Sequence, residues 1–345
     1  MNVIQYIKKH KDEDFNTFKF TEVDSLILSL IPYINYTNII LSFKEKKIAL
    51  KDVVKKMNDN QVKYRGVFIS NTFKMLNLMA KTKRYGDALL YNYMNVVNEE
   101  MQFGAVTIRL NDKSKFVAFA GTDSSIIGWE EDFKMAYLYP GASQKYAAIY
   151  LNKAIKLIDR TVRVGGHSKG GNLAISSVMN AKFYIRRKIK SIYNFDGPGF
   201  LKAQVDSKEY KRISNKIKMF VPAESIIGMI LYHQSEYTVV KAKGFNILQH
   251  DAFNWLCTDS SFIKDKQNKR SKSLELKLTK KLEELPTEDR VNLIKNMFSI
   301  FKNNDIKDTK EIKITKIFKL IKSFKALDKE TQNMLTELLL ILFIK

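Results

Sequence analysis

The sequence has little cysteine and no long apolar run, and each of these shortages excludes certain classes of protein. Its only cysteine in 345 residues, Cys257, excludes an intramolecular disulfide and a cysteine-rich metal site and favours a reducing compartment. The longest apolar run near a terminus, residues 338–344, is far shorter than the roughly 20 residues of a membrane-spanning helix, and residues 1–24 lack the apolar core of a signal peptide. We therefore expect a cytoplasmic protein, either free or peripherally attached to the inner face of the membrane.

Acidic residues are also scarce, since 36 Asp and Glu stand against 59 Lys and Arg and leave a net charge of +23. Such an excess predicts affinity for acidic lipid head groups, nucleic acid or acidic ligands, and it does not choose among them. No zinc-ligand pattern, interleaved aromatic residues or nucleic-acid motif accompanies the basic residues, so no nucleic-acid partner is predicted. Apolar residues make up 45% of the chain, which excludes global disorder.

The order of apolar patterns predicts an α/β fold. The first hundred residues show mostly helical spacing, and after them short strand-like runs alternate with helical patterns, which is typical of a layered structure with a mainly parallel sheet. The predicted strands are residues 104–110, 115–120, 161–164, 191–195, 217–221 and 237–242, with helices predicted at 144–158 and 172–185. Past residue 258 only helical patterns remain. We therefore predict an α/β domain at 1–258, with a mostly helical segment at 1–100, and a basic helical extension at 259–345.

The strongest chemical signal is the segment Gly166-His167-Ser168-Lys169-Gly170, between a predicted strand and a predicted helix. This is the pattern of a nucleophile elbow, a sharp turn that lifts a serine hydroxyl above the edge of a sheet. A side chain at either glycine would crowd the neighbouring strand or helix. The context predicts Ser168 as a nucleophile, with the backbone N–H of Lys169 directed at a developing oxyanion from the helix N-terminus. An ordinary glycine-rich turn with an incidental serine is the alternative.

A serine nucleophile needs a second oxyanion donor and a base. Thr122 follows a predicted strand in a glycine-containing turn and can offer both its N–H and its hydroxyl. Of the four histidines, His10 is expected to be solvated and His167 to have a packing role beside the nucleophile. His250 comes after the last predicted strand, where the base of an α/β-hydrolase falls, and we favour it over His233.

Two carboxylates are candidates for the acid that orients the base. Asp196 ends the strand after the nucleophile and precedes a Gly-Pro-Gly turn, and Glu224 follows the next strand. Both lie where parallel strands end, so either side chain can reach a histidine at that edge of the sheet. We favour Asp196, for which a plain turn-forming role is the other interpretation. Glu224 stays open as the alternative acid.

Several short motifs follow one another in a recognisable order. They are Val23-Asp24-Ser25-Leu26-Ile27-Leu28-Ser29, Phe119-Ala120-Gly121-Thr122, Gly128-Trp129-Glu130-Glu131-Asp132-Phe133, Gly165-Gly166-His167-Ser168-Lys169-Gly170-Gly171, Asp196-Gly197-Pro198-Gly199-Phe200, Ser225-Ile226-Ile227-Gly228-Met229 and Gln249-His250-Asp251. Together they resemble the lipase class 3 group of α/β-hydrolases and, more closely, a bacterial branch of it catalogued as a family of unknown function. The resemblance implies Ser168 as nucleophile, Thr122 and Lys169 as oxyanion donors, and His250 as base.

The chain departs from the lipase class 3 pattern at two points. Ala120 stands where the lipase motif Phe-Arg-Gly-Thr has its arginine. In lipase class 3 the acid would fall near Glu224, yet the bacterial branch usually has a small polar residue there. This second departure favours Asp196 as the acid.

The third helical segment of the extension combines an apolar face with regularly spaced lysines. Its apolar positions are Ile314, Ile317, Phe318, Ile321 and Phe324, and its lysines are Lys313, Lys316, Lys319, Lys322 and Lys325. Such a helix either packs its apolar face on neighbouring helices or lies on an acidic membrane surface. We favour packing, because the adjacent helices also offer apolar faces.

These features predict a lipase-like or esterase-like serine hydrolase with Ser168, His250 and Asp196 as its catalytic triad. It would cleave carboxylic esters, with acyl lipids among the candidate substrates, through an acyl-enzyme intermediate. We expect no cofactor and no metal. The alternative is a non-catalytic hydrolase-like scaffold that binds a membrane surface or a protein partner through its basic helical tail.

Overall fold

The structure is a computed structural model that describes residues 1–43, 46–57, 71–233 and 236–343. Within these ranges eight strands form one sheet, in which each strand pairs with its neighbours in the chain. The strands are β1 (Ile48–Ala49), β2 (Leu89–Val97), β3 (Gln102–Arg109), β4 (Lys115–Phe119), β5 (Val162–His167), β6 (Ile189–Phe195), β7 (Ile217–Pro222) and β8 (Tyr237–Val240). β1 to β4 pair antiparallel and β4 to β8 pair parallel, so the predicted α/β fold with a mainly parallel sheet is confirmed.

Helices cover both faces of this sheet. The helices before the C-terminal part are α1 (Val3–Lys9), α2 (Glu22–Leu30), α3 (Leu50–Lys56), α4 (Thr72–Ala80), α5 (Ile126–Lys134), α6 (Ala142–Ala154), α7 (Lys169–Met179), α8 (Phe183–Lys188), α9 (Lys202–Val205) and α10 (Lys208–Lys211). Apolar residues of α1 to α4 form a core with one face of the sheet, and those of α6 and α7 form a second core with the other face. The central strand β5 is therefore buried along its whole length, as parallel strands between two helical layers are.

A buried ion pair holds the N-terminal helices together. Asp24 on α2 accepts hydrogen bonds from Arg84 Nε at 2.8 Å and Nη2 at 2.6 Å, and both side chains are fully buried. The hydroxyls of Tyr85 and Tyr6 and the backbone N–H of Thr21 also donate to this carboxylate. Because all its lone pairs are used, the charge is tolerated in an apolar layer. Asp24 lies in one of the recognised motifs, but nothing in the sequence indicates that it pairs with Arg84.

The structure differs from the sequence prediction in the first hundred residues, where it contains the nine-residue strand β2. The register of β2 with β3 shifts between Tyr91 and Met94, and Asn92 has a φ of 55°. This bulge interrupts the two-residue alternation by which an isolated sequence reveals a strand.

Two smaller predictions are wrong. The helix predicted at 172–185 begins earlier and divides into α7 and α8, because α7 ends at a cap on Asn180. His10, expected in solvent, is 4% exposed and stacks on Phe18 with 4.5 Å between ring centroids.

The C-terminal part is mainly helical in its described residues, as predicted, although residues 259–268 are not helical. It comprises α11 (Lys269–Glu284), α12 (Thr287–Lys302), α13 (Ile314–Lys325) and α14 (Lys329–Phe343). α12 packs on α5 through an apolar cluster that includes Ile126, Ile294 and Phe298. The boundary at residue 259 stays a prediction. In the described ranges no helix is both long and apolar enough to cross a bilayer.

Candidate active site

Ser168 occupies a strained turn between β5 and α7. Its φ of 58° and ψ of −135° are unusual for a residue with a side chain, and they are the conformation expected of a nucleophile elbow. A Cβ on Gly166 would lie 2.2 Å from the carbonyl carbon of Gly170, and one on Gly170 would lie 2.2 Å from the carbonyl oxygen of Phe119. Glycine is therefore required at both positions, as the spacing predicted.

An acid–histidine pair lies at the same edge of the sheet. Asp196 Oδ2 is 2.6 Å from His250 Nδ1, and both side chains are buried. The other carboxylate oxygen accepts from Ser225 Oγ at 2.5 Å and from the backbone N–H of Gly228 at 3.2 Å. Since Nδ1–H of His250 donates to the carboxylate, the lone pair of its neutral ring is on Nε2, as a general base requires.

Local contacts bring this pair and the serine turn together. The backbone N–H of Ser168 donates to the carbonyl of Phe195, the residue before Asp196, at 2.9 Å. A Cβ on Gly197 would lie 2.3 Å from the carbonyl oxygen of Ser168, so the turn after Asp196 touches the elbow. The ring of His250 lies 4.6 Å from that of His167, the residue before the serine. The structure thus gathers Ser168, Asp196 and His250 at the carboxyl ends of β5 and β6.

The alternative acid and base have other partners. Glu224 Oε2 accepts the backbone N–H of Asn246 at 2.5 Å, and the backbone N–H of Glu224 donates to Gln249 Oε1 at 2.9 Å. Glu224 therefore holds the loop that carries His250. His233 donates from Nε2 to the carbonyl of Gly228 at 2.8 Å, and burial lowers its pKa to about 4. In this geometry Asp196 orients His250, and it remains the predicted acid.

His167 supports the site through hydrogen bonds as well as packing. Its Nε2 donates to the carbonyl of His250 at 2.8 Å, so its Nδ1 is an acceptor and receives the Tyr33 hydroxyl at 3.0 Å. Burial, with the charge of His250 as a smaller cause, lowers the pKa of His167 well below its usual value and keeps the ring neutral. The Tyr33 hydroxyl is also a hydrogen-bond partner of the Gly121 backbone N–H. Tyr33 consequently links the serine turn to the loop of Thr122.

The two predicted oxyanion donors come from adjoining segments. Thr122 follows β4, and Lys169 is the first residue of α7. A Cβ on Gly170 would approach Phe119 O at 2.2 Å and Ala120 C at 3.0 Å, which shows how closely the elbow abuts the end of β4. The Thr122 hydroxyl donates to the carboxylate of Asp132 on α5. Its single proton is committed there, so the backbone N–H of Thr122 is the group left for an oxyanion.

The side chain of Lys169 forms a buried charge cluster that the sequence analysis missed. Its Nζ is 2.5 Å from Glu131 Oε2, 3.0 Å from the Gln102 carbonyl and 3.7 Å from Asp132 Oδ1. Glu131 also accepts the Ser143 backbone N–H at 2.7 Å. Burial raises the pKa of Asp132 from 3.8 to about 6, against the opposing charge of Lys169. The adjacent acids of the Gly128–Phe133 motif were the available signal, but nothing in the sequence paired them with Lys169.

Within the described ranges, no group of three or more His, Cys, Asp and Glu side chains is arranged to hold a metal ion. The groups that the site offers are a hydroxyl, an imidazole oriented by a carboxylate, and backbone N–H donors.

The structure defines an α/β protein with a mainly parallel sheet and a helical C-terminal part. The chain belongs to the Mbeg1-like family, whose model matches residues 79–299. Among solved structures it is similar to one described as the crystal structure of M37 lipase, at 16% identity and a TM-score of 0.36, over 61% of this chain and 69% of that one. No curated protein matches the sequence.

Proposed function

We propose that the protein is a serine hydrolase that cleaves carboxylic esters, with acyl lipids as the candidate natural substrates. The observation that carries the proposal is the 2.6 Å contact between Asp196 Oδ2 and His250 Nδ1 at the edge where the strained turn presents Ser168. The strained turn and the Asp–His contact each have a purely structural explanation when taken alone. Their coincidence with adjoining backbone donors is what acyl transfer requires.

The proposed reaction has two halves. His250 Nε2 takes the hydroxyl proton of Ser168 as the serine oxygen bonds to the ester carbonyl carbon, and the imidazolium returns that proton to the departing alcohol. Water then adds to the acyl-enzyme by the same route and loses a proton to His250, which returns it to Ser168 Oγ as the ester bond breaks and the acid is released. Asp196 holds the imidazole orientation and stabilises its charged form.

The N–H groups of Lys169 and Thr122 would stabilise the oxyanion in both halves. Each such donor contributes on the order of 10²–10³ in rate when it is fixed before the reaction. The contact of Thr122 with Asp132, and that of Lys169 with Glu131, fix these donors from the side of α5.

Labelling with a fluorophosphonate probe tests the proposal. We expect wild-type protein to be labelled, and Ser168→Ala and His250→Ala to lose labelling while keeping the wild-type circular dichroism spectrum. His233→Ala is the matched control, because it removes the other histidine near Asp196 and should retain labelling. Labelling that persists in folded Ser168→Ala, or a wild-type protein that stays unlabelled both with and without detergent, would sink the proposal. The second result would favour the non-catalytic scaffold.

Hydrolysis of p-nitrophenyl butyrate separates the two acids. Asp196→Asn should lower kcat by on the order of 10⁴-fold, because the imidazole loses the partner that sets its tautomer. Glu224→Gln should change kcat much less, since Glu224 contacts backbone in the structure. The reverse order of effects would make Glu224 the acid.

A further inference from the structure

The amphipathic helix α13 leaves most of its apolar face uncovered. Ile317 is 40% exposed, Phe318 74% and Ile321 45%. The helix is attached along a different edge, where Leu320 joins the apolar cluster of α5 and α12 and Asn304 donates to Ser323 Oγ at 2.8 Å. The expectation that this apolar face packs on neighbouring helices is therefore wrong for these three residues. The side chain of Ile314 lies outside those described.

Lysines border the exposed apolar residues. Lys319, Lys322 and Lys325 are exposed on the same helix, and α13 contains no acidic residue. A helix with a solvent-exposed apolar stripe between lysines is suited to the boundary of a bilayer, where the apolar groups enter the acyl region and the ammonium groups meet anionic head groups. The net charge of +23 acts in the same direction.

The position of α13 connects it to the candidate active site. The loop after Thr122 is joined to the chain just before α13, since Ser124 Oγ donates to Asp308 Oδ2 at 2.6 Å and the Thr309 N–H donates to the Ser124 carbonyl at 2.8 Å. The six peptide units from Asp308 to Ile314 reach at most about 20 Å. The helix thus starts close to the loop that carries an oxyanion donor.

We propose that the face formed by Ile317, Phe318, Ile321, Lys319, Lys322 and Lys325 docks the protein on an anionic lipid bilayer. The charge complementarity of the lysines and the exposure of Phe318 carry this inference. Docking would bring the site near acyl esters in the bilayer, a consequence that rests on the proposed function, whereas binding itself does not.

Vesicle sedimentation with the full chain tests the docking face. Wild-type protein should bind phosphatidylcholine vesicles that contain phosphatidylglycerol and should bind pure phosphatidylcholine much more weakly, with affinity falling as salt rises. Lys319→Gln/Lys322→Gln/Lys325→Gln should weaken binding about 100-fold, from about fivefold for each lysine near an anionic surface. Phe318→Ser should weaken vesicle binding about tenfold or more, because it removes the aromatic group that would enter the acyl region of the bilayer.

Phe183→Ser is the matched control. Phe183 is 64% exposed and also lies among basic residues, which include Arg186 and Arg187. It precedes β6, however, and so lies at the amino ends of the parallel strands, whereas Ser168 follows the carboxyl end of β5. We expect this variant to bind as wild type does. Loss of binding in Phe183→Ser with normal binding in Phe318→Ser would overturn the proposal and assign docking to that other edge.

Two further measurements separate docking from catalysis and from self-association. Phe318→Ser should hydrolyse p-nitrophenyl butyrate as fast as wild type, and Ser168→Ala should bind vesicles as wild type does. Soluble ester hydrolysis without vesicle binding would refute docking alone, and vesicle binding without fluorophosphonate labelling would refute the proposed function alone. A wild-type dimer that Phe318→Ser converts to a monomer, with no vesicle binding, would assign the face to a second copy of the chain.

Discussion

The variant Lys169→Met tests the role of the Lys169 side chain without removing the backbone N–H of this residue. Methionine keeps the backbone donor and fills a similar volume, but it removes the cation that lies 2.5 Å from Glu131 Oε2 and 3.7 Å from Asp132 Oδ1. The side chain of Glu131 is 5% exposed and that of Asp132 23%, so water does not replace the lost partner fully. Removing one member of a buried ion pair costs about 3–5 kcal/mol. We expect the free energy of unfolding to fall by that amount at neutral pH.

The loss should depend on pH in a defined direction. The folded-state pKa of Asp132 is already raised to about 6, and Lys169 is the largest influence that opposes the rise. Without the cation the pKa of Asp132 rises further. At a pH above this pKa the folded variant carries an unpaired carboxylate at Asp132, and at a lower pH protonation removes that charge. The cost of Lys169→Met should therefore be largest near pH 7 and should shrink toward pH 5.

Urea unfolding followed by circular dichroism measures both effects. The double variant Lys169→Met/Glu131→Gln is the informative control, because it also removes the buried carboxylate that the single variant leaves unpaired. It should recover a large part of the lost stability. A change below about 1 kcal/mol for Lys169→Met, the size of an ordinary surface substitution, would refute the reasoning. So would a loss that stays constant from pH 7 to pH 5.

Three other predictions concern buried polar groups. Asp132→Asn removes a carboxyl whose folded-state pKa is raised, so wild type is stabilised when Asp132 is protonated and the variant is not. Between pH 7 and pH 4, the free energy of unfolding in urea should therefore rise in wild type relative to the variant by up to about 3 kcal/mol. A difference that ran the other way would mean that the charged form is favoured. Asp24→Ala leaves Arg84 buried without its counter-ion and should lower the unfolding free energy by about 3–5 kcal/mol, whereas the exposed Asp12→Ala should change it little. Equal effects would contradict the burial argument. Tyr33→Phe removes a buried hydroxyl that donates to His167 and should cost about 1–3 kcal/mol. Thermal unfolding indistinguishable from that of wild type would show that the hydroxyl contributes nothing net.

The parts of the site that depend on neighbours in the chain were predictable from the sequence. The elbow needs glycines two positions on either side of Ser168, and a strand and a helix next to them, all within one short segment. The class of fold followed in the same way from the alternation of strands and helices. β2 was not predicted, because a bulge at Asn92 interrupts the two-residue alternation of its side chains.

Contacts between distant segments were harder to predict. The sequence could place Asp196, Glu224, His233 and His250 near one edge of the sheet, but only the fold brings Asp196 to His250, 54 positions away. Lys169 pairs with Glu131, 38 positions earlier, and a lysine beside a nucleophile gives no sign of such a partner. Periodicity identified the apolar face of α13, but periodicity alone does not say whether anything covers that face.

The Asp24–Arg84 ion pair has a practical consequence for expression of the protein. Arg84 lies inside the range that the family model matches, whereas Asp24 and Tyr33 lie before it. A fragment that starts at residue 79 would lose the helical layer that buries Arg84, the anion that pairs with it, and the phenol partner of His167. The stretch of sequence that the family model matches is therefore shorter than the unit that folds, because the opening helices form one side of its core.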